Sequence, residues 1–87
     1  MKHHMQTTSL EAYYTHPSLG DHEQTVLVAI HAYPDSTDRE IARHLGKEDP
    51  NWVRPRRFSL VEKGLVVKGK KRRCMVTGKN AITWRVK

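Results

Sequence analysis

Residues 60–67 read Leu60-Val61-Glu62-Lys63-Gly64-Leu65-Val66-Val67, and within these eight positions the chain changes its periodicity. Upstream, apolar residues recur at helical spacing: Val53 and Leu60 fall on one side, with Arg57 and Val61 flanking. Gly64 then supplies a residue free to adopt positive φ, the usual end of a helix, and Leu65-Val66-Val67 is a β-branched run that favours a strand. A helix handing over through glycine to a strand is therefore predicted here. Gly64 itself falls on the inward side of this wheel, while Asn51, Pro55, Phe58, Ser59 and Glu62 face away.

Working back from this junction, Asp49-Pro50-Asn51 opens the same helix in one of two ways. Either Asp49 caps it with Pro50 in the first turn, or Asn51 caps it; the second is kinder to Pro55, which then loses only one backbone bond. Further upstream, Thr37-Asp38-Arg39-Glu40 is a capping box, in which the threonine hydroxyl and the glutamate carboxylate each accept the other's backbone N–H. It starts a short helix with Ile41, Ala42 and Leu45 inward and Gly46 at its end. Asp21 is the expected cap of a first helix whose buried stripe is Val26, Leu27, Ile30 and Tyr33, stopped by Pro34. Asp35 and Ser36 form a polar link. The segment from Ser9 to Tyr14 reads as a helical turn or an arm on the core, and Met1 to Met5 has the composition of an expression leader.

Working forward, apolar alternation passes through Cys74 and Val76 and breaks at Thr77-Gly78-Lys79-Asn80. It returns as Ile82, Trp84 and Val86, with Thr83 and Arg85 on the opposite face. This predicts a β-hairpin with a polar tip. The architecture is α+β: three helices, the second and third joined by a tight turn, followed by a hairpin. The order, together with Thr37-Asp38-Arg39-Glu40-Ile41-Ala42, Asn51-Trp52-Val53 and above all Leu60 to Val66, resembles the winged helix-turn-helix domains of small bacterial and phage regulators over about residues 21–87. The resemblance implies that the third helix, about residues 51–63, enters the DNA major groove while the hairpin, about residues 68–80, reaches phosphates or the minor groove.

Charge points the same way independently. The chain of 87 residues carries a formal net charge of +7, with 16 Lys and Arg against 9 Asp and Glu. Residues 1–48 hold four cations against seven acids, and residues 49–87 hold twelve against two, so the positive excess lies wholly in the second segment. Such a field draws polyanions, either nucleic acid or an anionic membrane surface. Arg54, Arg56 and Arg57 lie on the third helix, and an arginine there either clamps a phosphate or reads guanine, while Asn51 adds an adenine-reading possibility. In the hairpin, Lys68, Lys70, Lys71, Arg72 and Arg73 are five cations within six positions, and Lys79 extends the field. The expected DNA-contacting set is thus Asn51, Trp52, Arg54, Arg56, Arg57, Ser59, Lys70, Lys71, Arg72, Arg73 and Lys79.

Several members carry a second reading. Arg57 sits near the inward face and either contacts DNA or snorkels along the core edge. Trp52 either packs or stacks at the DNA backbone, with packing the preferred reading. Phe58 touches a thymine methyl or a partner protein, and Trp84 reads as core. Cys74, the only cysteine, reads as a small buried hydrophobe in a strand, acidified by Arg73 if it were exposed; it permits no internal disulfide and no cysteine-rich zinc site, which fits reducing surroundings.

Other classes have less support. The histidines have no nucleophile motif around them and no glycine loop cradles a phosphate, so neither an enzyme, a cofactor, a metal nor a small-molecule substrate is expected. The longest apolar run, Val26 to Ile30, is far short of a membrane span, no secretory signal is visible and no amphipathic helix accompanies the basic run. A soluble, cytoplasmic, nucleoid-associated protein is expected, without membrane binding. The alternatives are a protein-interaction module of the same fold, or a binder of RNA or single strands.

Overall fold

A computed structural model describes residues 19–87; the readings of the leader and of the arm at Ser9 to Tyr14 lie outside the described residues. Three helices, α1 (Asp21–Ala32), α2 (Asp38–His44) and α3 (Arg54–Glu62), precede an antiparallel hairpin of β1 (Val66–Arg73) and β2 (Asn80–Val86). The α+β order is the one the sequence predicts. Val26, Leu27 and Ile30 of α1, Ile41 and Ala42 of α2, Val53 and Leu60 at α3, and Val66 of β1 form one buried cluster. Leu45, Trp52, Val61, Trp84 and Val86 pack around it.

The capping box of α2 is formed as expected: Thr37 Oγ1 accepts from the Glu40 N–H at 3.2 Å and Glu40 Oε1 accepts from the Thr37 N–H at 3.1 Å. Both glycine-terminated helices close identically. In α3 the Leu65 N–H reaches the Leu60 carbonyl and the Gly64 N–H reaches Val61, both at 3.0 Å, with Gly64 at φ 77°. These crossed bonds satisfy the last carbonyls and turn the chain into β1.

Four local expectations are corrected. The cap of α1 is Gly20, whose N–H donates to Glu23 Oε1 at 3.0 Å, and Asp21 is the first helical residue. Tyr33 leaves the buried stripe and is 48% exposed, because the residue before a proline is driven out of the helical region; it stacks on His44 at 3.7 Å instead. The third helix begins at Arg54 rather than Asn51. Asp49, not Asn51, is the cap: its carboxylate accepts from the Asn51 N–H at 2.9 Å and opens a separate 3-10 turn, Pro50–Trp52. Pro55 then falls in the first turn of α3, where it forfeits no intrahelical bond. Gly64 is exposed, whereas Ser59, placed outward by periodicity, is half-buried against α1.

The hairpin also departs from simple alternation. Lys68 pairs with Trp84 and Lys71 with Ile82, so Gly69 and Lys70 together face the single residue Thr83, a β-bulge. The side chain of Thr83 is buried and its hydroxyl donates to the Lys70 carbonyl at 2.6 Å, while Ile82, Trp84 and Val86 are half-buried. Past the bulge β1 ends at Arg73; Cys74 and Val76 lie in the turn rather than in a strand. Trp84 also bonds outward, donating its N–H to Ser36 O and accepting from Asp35 N–H, each at 2.9 Å. The polar link between α1 and α2 is thereby stitched to the edge of β2.

The bulge leaves no room at Gly69. A Cβ there would lie 2.7 Å from Thr83 Oγ1 and 3.1 Å from Asp35 Oδ1. The threonine rotor is buried and committed to Lys70 O, so it cannot yield freely. Gly69→Ala should therefore lower unfolding stability by about 1 to 2 kcal/mol, the scale of local overpacking. A urea midpoint equal to wild type would show that the bulge relaxes without cost.

Candidate nucleic-acid interface

Each expected contact residue has a definite place. Asn51 is exposed on the 3-10 turn and accepts from Arg54 Nη1 at 3.1 Å. Arg54 opens α3 with its side chain 53% exposed and lies 3.7 Å from Asp38. Arg56 bends back, donating to Trp52 O at 2.8 Å and covering the Trp52 ring at 4.6 Å; Lys47 covers the same ring at 4.5 Å. Trp52 thus packs on the core and also holds two cations near the surface. Phe58 is 58% exposed on the outer face of α3.

Arg57 and Arg72 are held differently from the rest. Arg57 forms a two-pronged pair with Asp38, at 3.0 and 2.7 Å, lies 4.0 Å above the Trp84 ring and is only 16% exposed. Of its two readings, the core-edge position is the one it occupies. Arg72 donates to both Glu40 oxygens, at 2.9 and 2.6 Å, and to the Asp35 carbonyl at 2.7 Å. Ser59 donates to Glu23. These three side chains tie elements together, and a phosphate would have to displace a carboxylate to engage them.

The remaining cations are available. Lys68, Lys70, Lys71 and Arg73 on β1 and Lys79 at the turn are exposed, and none pairs with an acidic side chain among the described residues. Of the carboxylates beside the hairpin, Glu40 is committed to Arg72, and Asp35 lies against Gly69 without closing an ion pair with any of these cations.

Two carboxylates, Glu40 of the predicted capping box and Glu23 in the first turn of α1, hold this arrangement in place. Glu40 lies at the start of α2 yet accepts from Arg72 and, at 2.7 Å, from the Met75 N–H beyond β1, so it fastens the hairpin turn to α2. The Arg72 guanidinium, aided by the Met75 and Thr37 N–H groups, outweighs burial and draws its carboxyl down to about 2. Glu23 receives Lys63 at 2.8 Å, Ser59 and the Gly20 N–H, joining α1 to the end of α3. Lys63 foremost, then Ser59, draws it likewise to about 2. The capping box offered a partial signal for Glu40, since a second carboxylate oxygen remains available after the cap is made; nothing local pointed to Arg72, thirty-two residues away.

Cys74 is buried just past β1, its sulfur 3.1 Å from Thr37 Oγ1. Burial pushes the thiol up, but the Thr37 hydroxyl and the Thr77 and Val76 N–H groups prevail and leave it below its ordinary value. Among the described residues no three His, Cys, Asp or Glu side chains gather as metal ligands, and no helix is long and apolar enough to cross a membrane. Comparison with known proteins finds no family model that matches the chain and no curated protein similar to it.

Proposed function

We propose that this chain binds double-stranded DNA as a winged helix-turn-helix domain, with α3 and its preceding turn at the major groove and the hairpin as the wing. The observation that carries this reading is the set of five exposed, acid-free cations on the hairpin, Lys68, Lys70, Lys71, Arg73 and Lys79, beside the exposed Arg54 at the start of α3. Cations left without carboxylate partners on one surface act on a polyanion by releasing its condensed counterions. Asn51 and Arg54 supply polar groups for base edges, Phe58 an apolar one, and Arg57 and Arg72 hold the reading elements in place. A regulator, or an accessory factor of a phage or mobile element, is the role this fits, with no catalysis and no small-molecule cofactor.

The test is a titration of random-sequence duplex at several salt concentrations, followed by NMR chemical-shift perturbation. Wild type should bind with an affinity that falls steeply with salt, with shifts at residues 51–59 and 68–80. Replacing Lys68, Lys70, Lys71 and Arg73 together by Gln should weaken binding to every sequence by about tenfold or more at low salt and flatten the salt dependence. Absence of any shift in wild type at low salt would remove the DNA reading and leave the surface as a docking site for an acidic protein.

A further inference from the structure

The cations of residues 1–48 are outnumbered by acids, but the fold collects Arg39, Arg43 and Lys47. Arg39 and Arg43 are four residues apart and share the exposed face of α2. With Lys47, Gly46, Glu48 and Val76 they line an open trough of about 390 Å³ between α2 and the hairpin turn. Arg39 also lines a second cleft, of about 410 Å³, between α2, α3 and the hairpin, where it faces Arg54, Arg57 and Lys79 over a floor that includes Trp84. The two depressions therefore adjoin at Arg39, the residue that lines both.

Carboxylates do little to neutralise this path. Asp38 belongs to the second cleft but is held by Arg57 at 2.7 Å with Arg54 at 3.7 Å, and Glu48 is the acid of the first. Arg39, Arg43 and Lys79 are exposed and form no ion pair with an acidic side chain among the described residues. Lys47, by contrast, is placed over Trp52.

We propose that this trough is a second phosphate track, which takes the sugar-phosphate backbone flanking the site of α3 along Lys47, Arg43, Arg39 and Lys79. The inference rests on the DNA reading above and extends it to a surface outside the recognition helix and the basic strand. An extended ligand with regularly repeated charge suits a path that runs around one helix between two depressions; a single phosphate would use only one of them. Arg54 lines the second cleft, which therefore borders the proposed base-reading surface.

The experiment compares wild type, the four-residue hairpin variant and R39Q/R43Q/K47Q, which spares every cation of the hairpin, for binding to random-sequence duplexes of about 12 and 24 base pairs across a salt series. Each removed phosphate contact reduces the salt slope by about 0.9, so the triple variant should lose about two to three units of slope and about tenfold in affinity for the longer duplex at low salt. The loss should be the same for every sequence, because backbone contacts carry no base information. Unchanged slope in the triple variant, while the hairpin variant weakens, would overturn the track and leave the DNA reading standing. Wild type that binds no duplex would overturn both. A triple variant that loses binding to polyglutamate but keeps its duplex affinity would assign the trough to an acidic protein and also overturn the track. Thermal melts check that these exposed substitutions leave the fold intact; should they not, the amide shifts of residues 39, 43 and 47 in wild type decide, and their absence on titration with the longer duplex would refute the track.

Discussion

Glu40→Ala should destabilise the protein by about 3 kcal/mol, a large share of the roughly 5 to 10 kcal/mol available to a domain of this size. Four donors converge on this buried carboxylate: the Thr37 N–H, two guanidinium nitrogens of Arg72 and the Met75 N–H. Truncation strands the buried Thr37 N–H, at about 1 kcal/mol or more, and costs less at the Met75 N–H, whose residue is exposed. The Arg72 side chain is 38% exposed and can regain water, which keeps the total below the upper range for broken buried pairs. The loss should be shared with Arg72→Ala, so the double variant should be more stable than the sum of the two by about 1 kcal/mol. Urea unfolding of the four proteins provides the measurement. A Glu40→Ala midpoint within error of wild type would mean that the hairpin turn does not depend on this fastening.

Acid should dismantle the same framework. Glu23 and Glu40 are both held at about 2 in the folded chain, against an ordinary value of 4.5. A carboxyl whose folded value is depressed stabilises the protein above its unfolded value, and that contribution disappears as pH falls towards the folded value. The window is therefore pH 4.5 to about 2. Each shift corresponds to about 3 kcal/mol; the partner cations Lys63 and Arg72 reach solvent, so about 2 kcal/mol each is the expected size after solvent screening. Stability measured by urea unfolding should be flat from pH 7 to 5 and then fall by about 4 kcal/mol by pH 2. Glu23→Gln and Glu40→Gln should each be less stable at pH 7 and lose less on acidification. A wild-type curve flat down to pH 3, or a Glu23→Gln curve as steep as wild type, would remove these two groups from the account.

The two hubs also bear on the proposed DNA surface. Glu40 sets where the hairpin turn sits relative to α2, and Glu23 sets the tilt of the end of α3 against α1, through Lys63 and Ser59. Neither need touch DNA to influence binding.

What could be read from the chain itself is the part governed by neighbours in sequence. Thr37 and Glu40 are three residues apart, Gly46 and Gly64 each follow a short helix with a few inward apolar residues, and Leu65-Val66-Val67 favours a strand, so caps, helix ends and the start of β1 follow from local chemistry. The order of three helices and a hairpin follows in turn, as does the basic character of β1. The sequence could not show the bulge opposite Thr83, because alternation counts residues on one strand and a bulge is a mismatch between two. Nor could it say which arginines are free. Arg57 and Arg73 look alike in sequence, yet one is clamped to Asp38, nineteen residues away, and the other is exposed. Arg39 and Arg43 lie in the acidic segment, yet tertiary packing brings Arg39 into one cleft with Lys79 and sets Arg43 beside Arg39 along the neighbouring trough. Local spacing decides secondary structure because hydrogen bonding and side-chain entropy act over a few residues; the availability of a charge depends on long-range pairing, which only the folded chain decides.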